Sequence, residues 1–458
     1  MRCQDFDGLE IARFDVTLRA LERTILPPYL GSTLRGALGH ALKDVACVVE
    51  HRDCRRCPFL ESCAYPYLFE TPVPPEIKEL RGQTHAPLPF LIEPPLVANP
   101  IRRVWRVSAA NAAAAGSTAS AVRSPNDSQT KSQEANRASN AEVAVDARIL
   151  VPRQQISKPA SVVSSVVFPD RPRQFNIGDE LRFGLTLIGQ AIDYFPLFLH
   201  AISEMAHRGL GAGRAAFDLK DVFLNNLGGE RQRVYSSDCQ SLLLPARISD
   251  PLSELIAARL AEQKSGIDGK RGNESGEPVT ESIEQMIGAA LSQIAQPASD
   301  STSREVDGHP SLKLGFLTPV RIRIKDDLQT SLSFQMLVRN LLRRVSMLSA
   351  VHGRSRIRLD YRGLIERAAS ASVVKSTLRW WDLERYTDRQ DTKLRVGGLI
   401  GEVEYEGRVI EEFMPLICAG EVLGVGTGTS LGLGKYQIST SQGLDSEFPA
   451  RLLKDGVA

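Results

Sequence analysis

Aromatic residues are scarce in this chain, at 6% of 458 residues, and they are unevenly placed. No Phe, Trp or Tyr occurs over residues 107–163, nor over residues 236–315. Packed domains anchor on aromatic side chains, so both stretches read as insertions or linkers rather than core. Without their polar parts roughly 350 residues remain, enough for about two domains plus extras. Also missing is any apolar run near the ~20 residues that cross a bilayer. The N-terminal MRCQDFDGLE lacks the apolar stretch of a secretory signal. These absences predict a cytoplasmic protein with no membrane partner, in a compartment where thiols stay reduced. Net charge is nearly absent too. The 56 basic and 54 acidic residues leave +2, which excludes a uniformly basic coat but allows a local basic face.

What is present begins with cysteine. Of seven, four lie within 17 residues, Cys47, Cys54, Cys57 and Cys63, spaced C-x6-C-x2-C-x5-C. A Cys-x-x-Cys pair presents two thiolates to one metal, and two flanking cysteines complete a tetrahedral sulfur site. The spacing predicts a structural zinc knuckle over residues 46–70. An iron–sulfur cluster would use the same four sulfurs, and His51 could replace one of them. With four cysteine ligands no coordination position stays open, so no catalytic metal is expected.

Hydrophobic periodicity then divides the chain. Residues 11–21 alternate as a strand. In GSTLRGALGHALKDV, Ser32 or Thr33 is placed to cap a helix running to Val45. Leu34, Leu38, Ala41, Leu42 and Val45 share its core face, while His40 and Lys43 lie nearly opposite, beside Gly36 and Gly39. Residues 90–97 read as a strand, 108–161 as a polar, disordered insertion, 179–190 as a strand, 194–207 as a helix, and the following Gly-rich turn leads into a strand ending near Val222. Residues 251–262 and 282–294 are amphipathic fragments within a linker. The pattern then repeats: a bent strand pair from Leu312, a strong helix over 334–351, strands over 373–385 and 398–405, a helix over 410–420, and a Gly-rich segment before a last strand. The order fits an α+β chain of two tandem ferredoxin-like domains. The expected boundaries are 1–235 for the N-terminal domain with its knuckle and insertion, 236–311 for the linker, and 312–458 for the C-terminal domain.

Three segments, GSTLRGALGHALKDV, RGLGAGRAAFDLKDV and GVGTGTSLGLGKYQI, together resemble the CRISPR-associated RAMP superfamily. The resemblance is to its pre-crRNA-processing endoribonucleases of the Cas-six type, in the branch with a C-terminal module. CRRCPFLESCAYPYLFE and the FLTPVRI strand resemble the same branch. The resemblance implies an RNA-binding protein that cuts CRISPR repeat RNA once per repeat to release guide crRNA for antiviral defence. Such hydrolase-class nucleases use no catalytic metal. The 2′-hydroxyl attacks the adjacent phosphate, leaving a 2′,3′-cyclic phosphate and a 5′-hydroxyl. The family often carries a catalytic histidine on its first helix, which here points to His40. Histidine suits proton transfer near neutral pH. Lys43 would stabilise the charged transition state, and Tyr29 would orient the histidine or replace it in part. His207 and His352 are competitors, the former also a candidate helix cap, and His200 reads as a hydrogen-bonded core residue. Related modules carry His and Lys in the Gly-rich segment, where this chain has Gly424, Val425, Gly426 and Thr427. That departure favours an alternative, a non-catalytic RAMP subunit binding guide RNA beside other CRISPR-associated effector subunits. A redox or sensor protein built on the cysteines is a third reading.

The near-neutral total conceals an asymmetry. Residues 316–397 hold 17 Lys/Arg against 8 Asp/Glu, and residues 398–458 hold 4 against 9. A basic half-domain is the footprint of phosphate binding. Arg339, Arg343 and Arg344 on the helix, Arg354, Arg356 and Arg358 after it, and Arg379, Arg385 and Arg389 around Trp380 and Trp381 are the expected RNA contacts. Tryptophan beside arginine offers a stacking platform for unpaired bases, with the other ring in the core. Gly424, Gly426, Gly428, Gly432, Gly434 and Lys435 are expected to approach phosphates through bare backbone N–H groups.

Overall fold

The fold was analysed in a computed structural model. It describes residues 1–49, 53–74, 77, 85–96, 172–227, 231–239, 241–268, 310–324, 327–387 and 392–439, with backbone alone for 55, 264–268, 383–387 and 392–396. The expected insertion at 108–161, the fragment at 282–294 and His51 lie outside these residues.

The N-terminal half contains β1 (Glu10–Ala20), β2 (Thr24–Leu26), α1 (Gly31–Ala46), β3 (Phe90–Glu93), β4 (Arg173–Phe175), β5 (Glu180–Ile188), α2 (Phe195–Arg208), β6 (Phe217–Asn225), β7 (Arg231–Ser236) and β8 (Ser241–Leu242). Its main sheet runs β3-β5-β1-β6-β7-β8, antiparallel throughout. Strands β3, β5, β1 and β6 with α1 and α2 reproduce the ferredoxin-like order. Alternation along β1 turns Ala12, Phe14, Val16, Leu18 and Ala20 into the first core, as a strand's two-residue period dictates. There Phe14 stacks on Phe195 of α2 at 4.0 Å between centroids. The helices meet this sheet through Leu34, Leu38 and Leu42 of α1 and Phe198, Ile202 and Met205 of α2.

The second half repeats the arrangement. It comprises β9 (Asp250–Pro251), α3 (Leu252–Asp268), β10 (Ser311–Val320), β11 (Arg323–Ile324), β12 (Asp327–Leu328), α4 (Phe334–His352), α5 (Tyr361–Ala368), β13 (Ser372–Ser376), β14 (Arg379–Thr387), β15 (Thr392–Glu406), α6 (Ile410–Leu423) and β16 (Tyr436–Ser439). Its sheet order, β13-β15-β10-β16, is the same ferredoxin-like permutation. Ser333 caps α4, accepting from the Met336 N–H. Phe334 packs edge-on against Tyr405 and Phe413 at the centre of the second core.

Several expectations are corrected here. Neither Ser32 nor Thr33 caps α1; the helix begins at Gly31 after Leu30, and both hydroxyl residues lie inside its first turn. The single strand expected over 373–385 is two, β13 and β14, interrupted at Thr377 and Leu378, where the Thr377 N–H donates to the Glu402 carbonyl. Helix α5, capped by Asp360, was not anticipated. The linker assignment also fails over β9 and α3. Strand β9 pairs with β1, and Leu252, Leu255 and Ile256 sit in the second core beside α6 residues such as Leu416. That core also takes in Phe6, Leu9, Ile11, Leu91 and Ile188, so the two halves share apolar interior.

Candidate functional site

The Gly-rich segment joins α6 to β16. Gly424, Gly426, Gly428, Gly432 and Gly434 all have positive φ, between 70° and 84°. Gly432 is required by proximity as well: a Cβ there would stand 2.4 Å from Pro94 Cδ and 2.6 Å from the Ile92 carbonyl oxygen. The loop is thus wedged against the strand end of the N-terminal half. Lys435 is drawn the same way, its Nζ 3.0 Å from Glu93 Oε1.

The loop also meets the start of α1. The Tyr29 hydroxyl donates to the Leu431 carbonyl at 2.5 Å, and Arg35 Nε donates to Ser430 Oγ at 3.1 Å. Tyr29 is buried with Ile400 and Leu433, against Trp381 and Leu431, and burial pushes its phenol well above the usual range. It stands eleven residues before His40. The helix between them rises about 1.5 Å per residue, so Tyr29 cannot orient that imidazole. Its placement fixes the loop instead. Replacing Tyr29 by Phe strands the Leu431 carbonyl and is expected to cost about 1 kcal/mol, read as a lower urea midpoint at unchanged slope.

His40 is exposed on α1. Gly36, one turn before it, has nothing within 4 Å of where a Cβ would be. The neighbouring groove is closed: the Phe69 ring lies over Gly39, where a Cβ would stand 2.2 Å from Phe69 Cζ. Phe69 stacks between Tyr65 and Phe90, and the Arg35 guanidinium covers it at 4.5 Å. Lys43 extends over the Tyr65 ring, 5.4 Å from its centroid. At the far end of α1, Asp44 pairs with Arg208 of α2. The structure therefore unites Tyr29, the Gly-rich loop and the start of α1, with His40 further along the helix and Lys43 turned toward the cysteines.

Those four cysteines line one cavity, with Val49, Asp53, Tyr65 and Pro66. All four are free thiols. Burial pushes the Cys54 thiol up, and the charges of Glu70, Cys47 and Cys63 add to this while Lys43 opposes it. An all-sulfur donor set around one cavity suits zinc. Among the described residues no three His, Cys, Asp or Glu side chains are yet gathered into a metal-holding group.

The other histidines divide clearly. His200 is exposed, contrary to the expected core position. His207 is half-exposed, its Nε2 3.7 Å from Asp218 Oδ1. His352 is fully buried. Its Nδ1 accepts from the Tyr67 hydroxyl at 3.1 Å and its Nε2–H donates to the Pro87 carbonyl at 2.8 Å, so it is a neutral core residue bridging the two halves.

Among the basic residues, Arg339, Arg343, Arg354, Arg356, Arg358 and Arg379 are exposed. Arg344 is not. It is buried against α6, its Nε donating to the Leu423 carbonyl at 2.7 Å, and burial lowers its pKa to about 10. Arg344 therefore leaves the expected RNA surface and serves the α4–α6 contact. Trp380 is 39% exposed and donates to Asp382 at 2.9 Å, while Trp381 packs inward. The side chains of Arg385 and Arg389 lie outside the described residues. Arg321 was missed by sequence reasoning, though it stands in the FLTPVRI strand. Its carbonyl accepts the Thr427 N–H at 2.9 Å, and its Nε is buried without a partner among the described residues. Arg35 and Ser430 were also missed, although both lie inside quoted motifs.

Comparison with known proteins adds family-model matches over parts of the chain. A family model described as an N-terminal domain matches residues 9–108 and 147–246. A second, the CRISPR-associated endoribonuclease Cas6, matches residues 314–436. No curated protein matches the chain. Among solved structures, a partial Cas6-RT-Cas1–Cas2 complex is similar at 11% identity and a TM-score of 0.45, covering 95% of this chain. The chain spans 47% of that protein's length. Thermus thermophilus Cas6 is similar at 12% identity and a TM-score of 0.41, with 94% and 99% of the two chains covered. A Cas6-related protein from Pyrococcus furiosus is similar at 10% identity and a TM-score of 0.35, with 94% and 100% covered. Residues 314–436 thus match the family model of the CRISPR-associated endoribonuclease Cas6.

Proposed function

We propose that the chain binds CRISPR repeat RNA in the cytoplasm and cuts it to generate guide RNAs, by transesterification without a catalytic metal. The observation that carries this reading is the union of α1 with the Gly-rich loop. Tyr29 and Arg35 bond Leu431 and Ser430, so the helix bearing the exposed His40 is fixed to the Gly-rich loop, and through the Thr427 N–H to the Arg321 carbonyl. The N–H groups of Gly424, Gly432, Gly434 and Lys435 bond within the protein, to Gly420, Thr429, Pro319 and Thr318, so these positions do not offer the bare phosphate contacts expected of them. In the reaction the 2′-oxygen bonds to phosphorus and the P–O5′ bond breaks. The 2′-hydroxyl proton leaves to a base and O5′ gains a proton from an acid. His40 is the proton-transfer group on the helix, and Lys43, one turn on, reaches the developing dianion only by leaving the Tyr65 ring it covers. Tyr29 is a positioning residue that acts through the loop.

The exposed arginines of α4 and the segment after it form the RNA-binding face. Replacing Arg339 and Arg343 by Gln is expected to weaken repeat-RNA binding. The magnitude of the salt slope should fall by about 0.7 for each phosphate of single-stranded RNA that is no longer neutralised. Arg344→Met should instead change stability and leave the slope intact. Binding titrations across a salt series check both. Other CRISPR-associated subunits are expected as partners.

A non-catalytic guide-RNA-binding role is favoured by one set of contacts. Thr427 stands where related modules carry ionisable residues, the Tyr29 hydroxyl is committed to Leu431, and Lys435 pairs with Glu93. Incubation with the repeat transcript separates the readings: cleavage supports the nuclease, and tight binding without cleavage supports the subunit.

A further inference from the structure

Residues 47–49 and 53–63 hold a defined shape with almost no core of their own. Val48 is 88% exposed and Phe59 53%. The regular structure is a three-residue turn, Cys54–Arg56, followed by turns in which Cys57 donates its N–H to Cys54 and Cys63 donates to Phe59. Ordering each residue costs about 1–2 kcal/mol of backbone entropy, which a segment lacking buried apolar side chains does not recover unaided. Small unsupported segments are held by a disulfide or a metal. The cysteines here are free thiols, and four of them border the same cavity.

The placement of the two outer cysteines gives the segment a purpose. Cys47 follows the last turn of α1, its N–H bonded to the Lys43 carbonyl at 2.9 Å. Cys63 leads directly into Tyr65 and the Pro66–Glu70 turn, whose Phe69 covers Gly39 of the same helix. Joining Cys47 to Cys63 through a shared ligand ties the end of α1 to the aromatic residues packed on its flank. Lys43, over Tyr65, supplies a cation beside a site that four thiolates and one divalent metal would leave net negative.

We propose that Cys47, Cys54, Cys57 and Cys63 hold one zinc ion as a tetrathiolate clamp that fixes the C-terminal end of α1, the helix carrying His40, against the 65–70 segment. Binding draws the thiols from the cavity walls to ligand spacing and releases their protons. The role is mechanical, since the saturated sulfur shell leaves no position for substrate.

The test uses the full-length protein, and metal content and exchange are read whether or not the chain cuts RNA. Elemental analysis is expected to find one zinc per chain. Cobalt exchange is expected to produce the near-ultraviolet thiolate-to-cobalt band and strong visible bands of tetrahedral sulfur coordination. Cys57→Ser should lose both, while Cys239→Ser, outside the knuckle, keeps both. Stripping the wild-type metal with a chelator needs no variant to fold. It should speed hydrogen exchange over residues 42–46 and 65–70 and leave α4 unchanged, with zinc restoring protection. Iron with visible absorption in the isolated protein, or failure of the wild type to take up either zinc or cobalt, overturns the metal assignment. Stoichiometric zinc with exchange unchanged on stripping overturns the clamp.

Discussion

Replacement of His40 by alanine is expected to lower the rate of repeat-RNA cleavage by roughly 10²–10⁴-fold, the contribution of one positioned proton-transfer group, with RNA affinity little changed. The selectivity follows from where His40 sits. It is exposed, it belongs to neither apolar core, and its removal opens no cavity. The expected RNA contacts lie elsewhere, on the arginines of α4 and the segment after it. A loss of the chemical step without a loss of binding therefore distinguishes a catalytic imidazole from a structural one. Single-turnover cleavage with excess protein, together with a binding titration on a 2′-deoxy-blocked repeat, measures the two quantities separately. Cleavage undiminished in His40→Ala would reassign the proton transfer to another group. His352 could not take it over, because both its ring nitrogens are committed inside the protein.

The buried position of His352 carries the second large effect, on stability. Burial lowers its pKa from 6.5 to about 4, opposed by the hydrogen bond to Pro87 and reinforced by the nearby Arg344 charge. The unfolded chain thus binds a proton at pH values where the folded chain does not. Stability is complete above about pH 6.5 and falls as the pH drops toward 4. The loss from this group reaches roughly 2 kcal/mol at pH 5 and roughly 3 kcal/mol at pH 4, at 1.36 kcal/mol per pKa unit. Asp15 and Asp250, whose pKa values burial raises, act with the opposite sign, so the His352 share is isolated by difference. Gln at 352 can still accept from Tyr67 and donate to Pro87 but does not titrate. Urea unfolding of wild type and His352→Gln at pH 7 and pH 5 should show the wild type losing about 2 kcal/mol more between the two. Equal losses would remove His352 as the acid-sensitive link between the halves.

Much of the fold is legible in the sequence because its elements are half-buried. Helices α1, α2, α4 and α6 and strands β1, β5 and β10 each repeat apolar residues at their own period, and one face of each meets a core. Features set by distant partners were not legible. The break between β13 and β14 follows from pairing with β15, where Ser376 faces Val403 and Arg379 faces Ile400. Helix α5 did leave a signal, an Asp360 cap followed by Leu364 and Ala368 at helical spacing. The site divides in the same way. An exposed His40 opposite an apolar stripe can be read from periodicity. Tyr29 cannot, because its partner Leu431 lies 402 residues away and turns a candidate catalytic hydroxyl into a brace. Arg344 looks like Arg343 in sequence, but α6 covers its side of α4 and removes it from the surface. The loop glycines announce tight turns; only the approach of Pro94 and Ile92 explains why Gly432 admits nothing larger.

Whether repeat RNA is cut by metal-independent transesterification is decided by end-group analysis of the products formed by the full-length protein. In buffer containing EDTA, with zinc content verified after the reaction, a transcript of the repeat should be cut at one position per repeat. The upstream fragment should carry a 2′,3′-cyclic phosphate and the downstream fragment a 5′-hydroxyl, and a single 2′-deoxy substitution at the cut site should abolish the reaction. Products ending in 3′-hydroxyl and 5′-phosphate, cleavage that survives the 2′-deoxy substitution, or tight repeat binding with no cleavage would each contradict it.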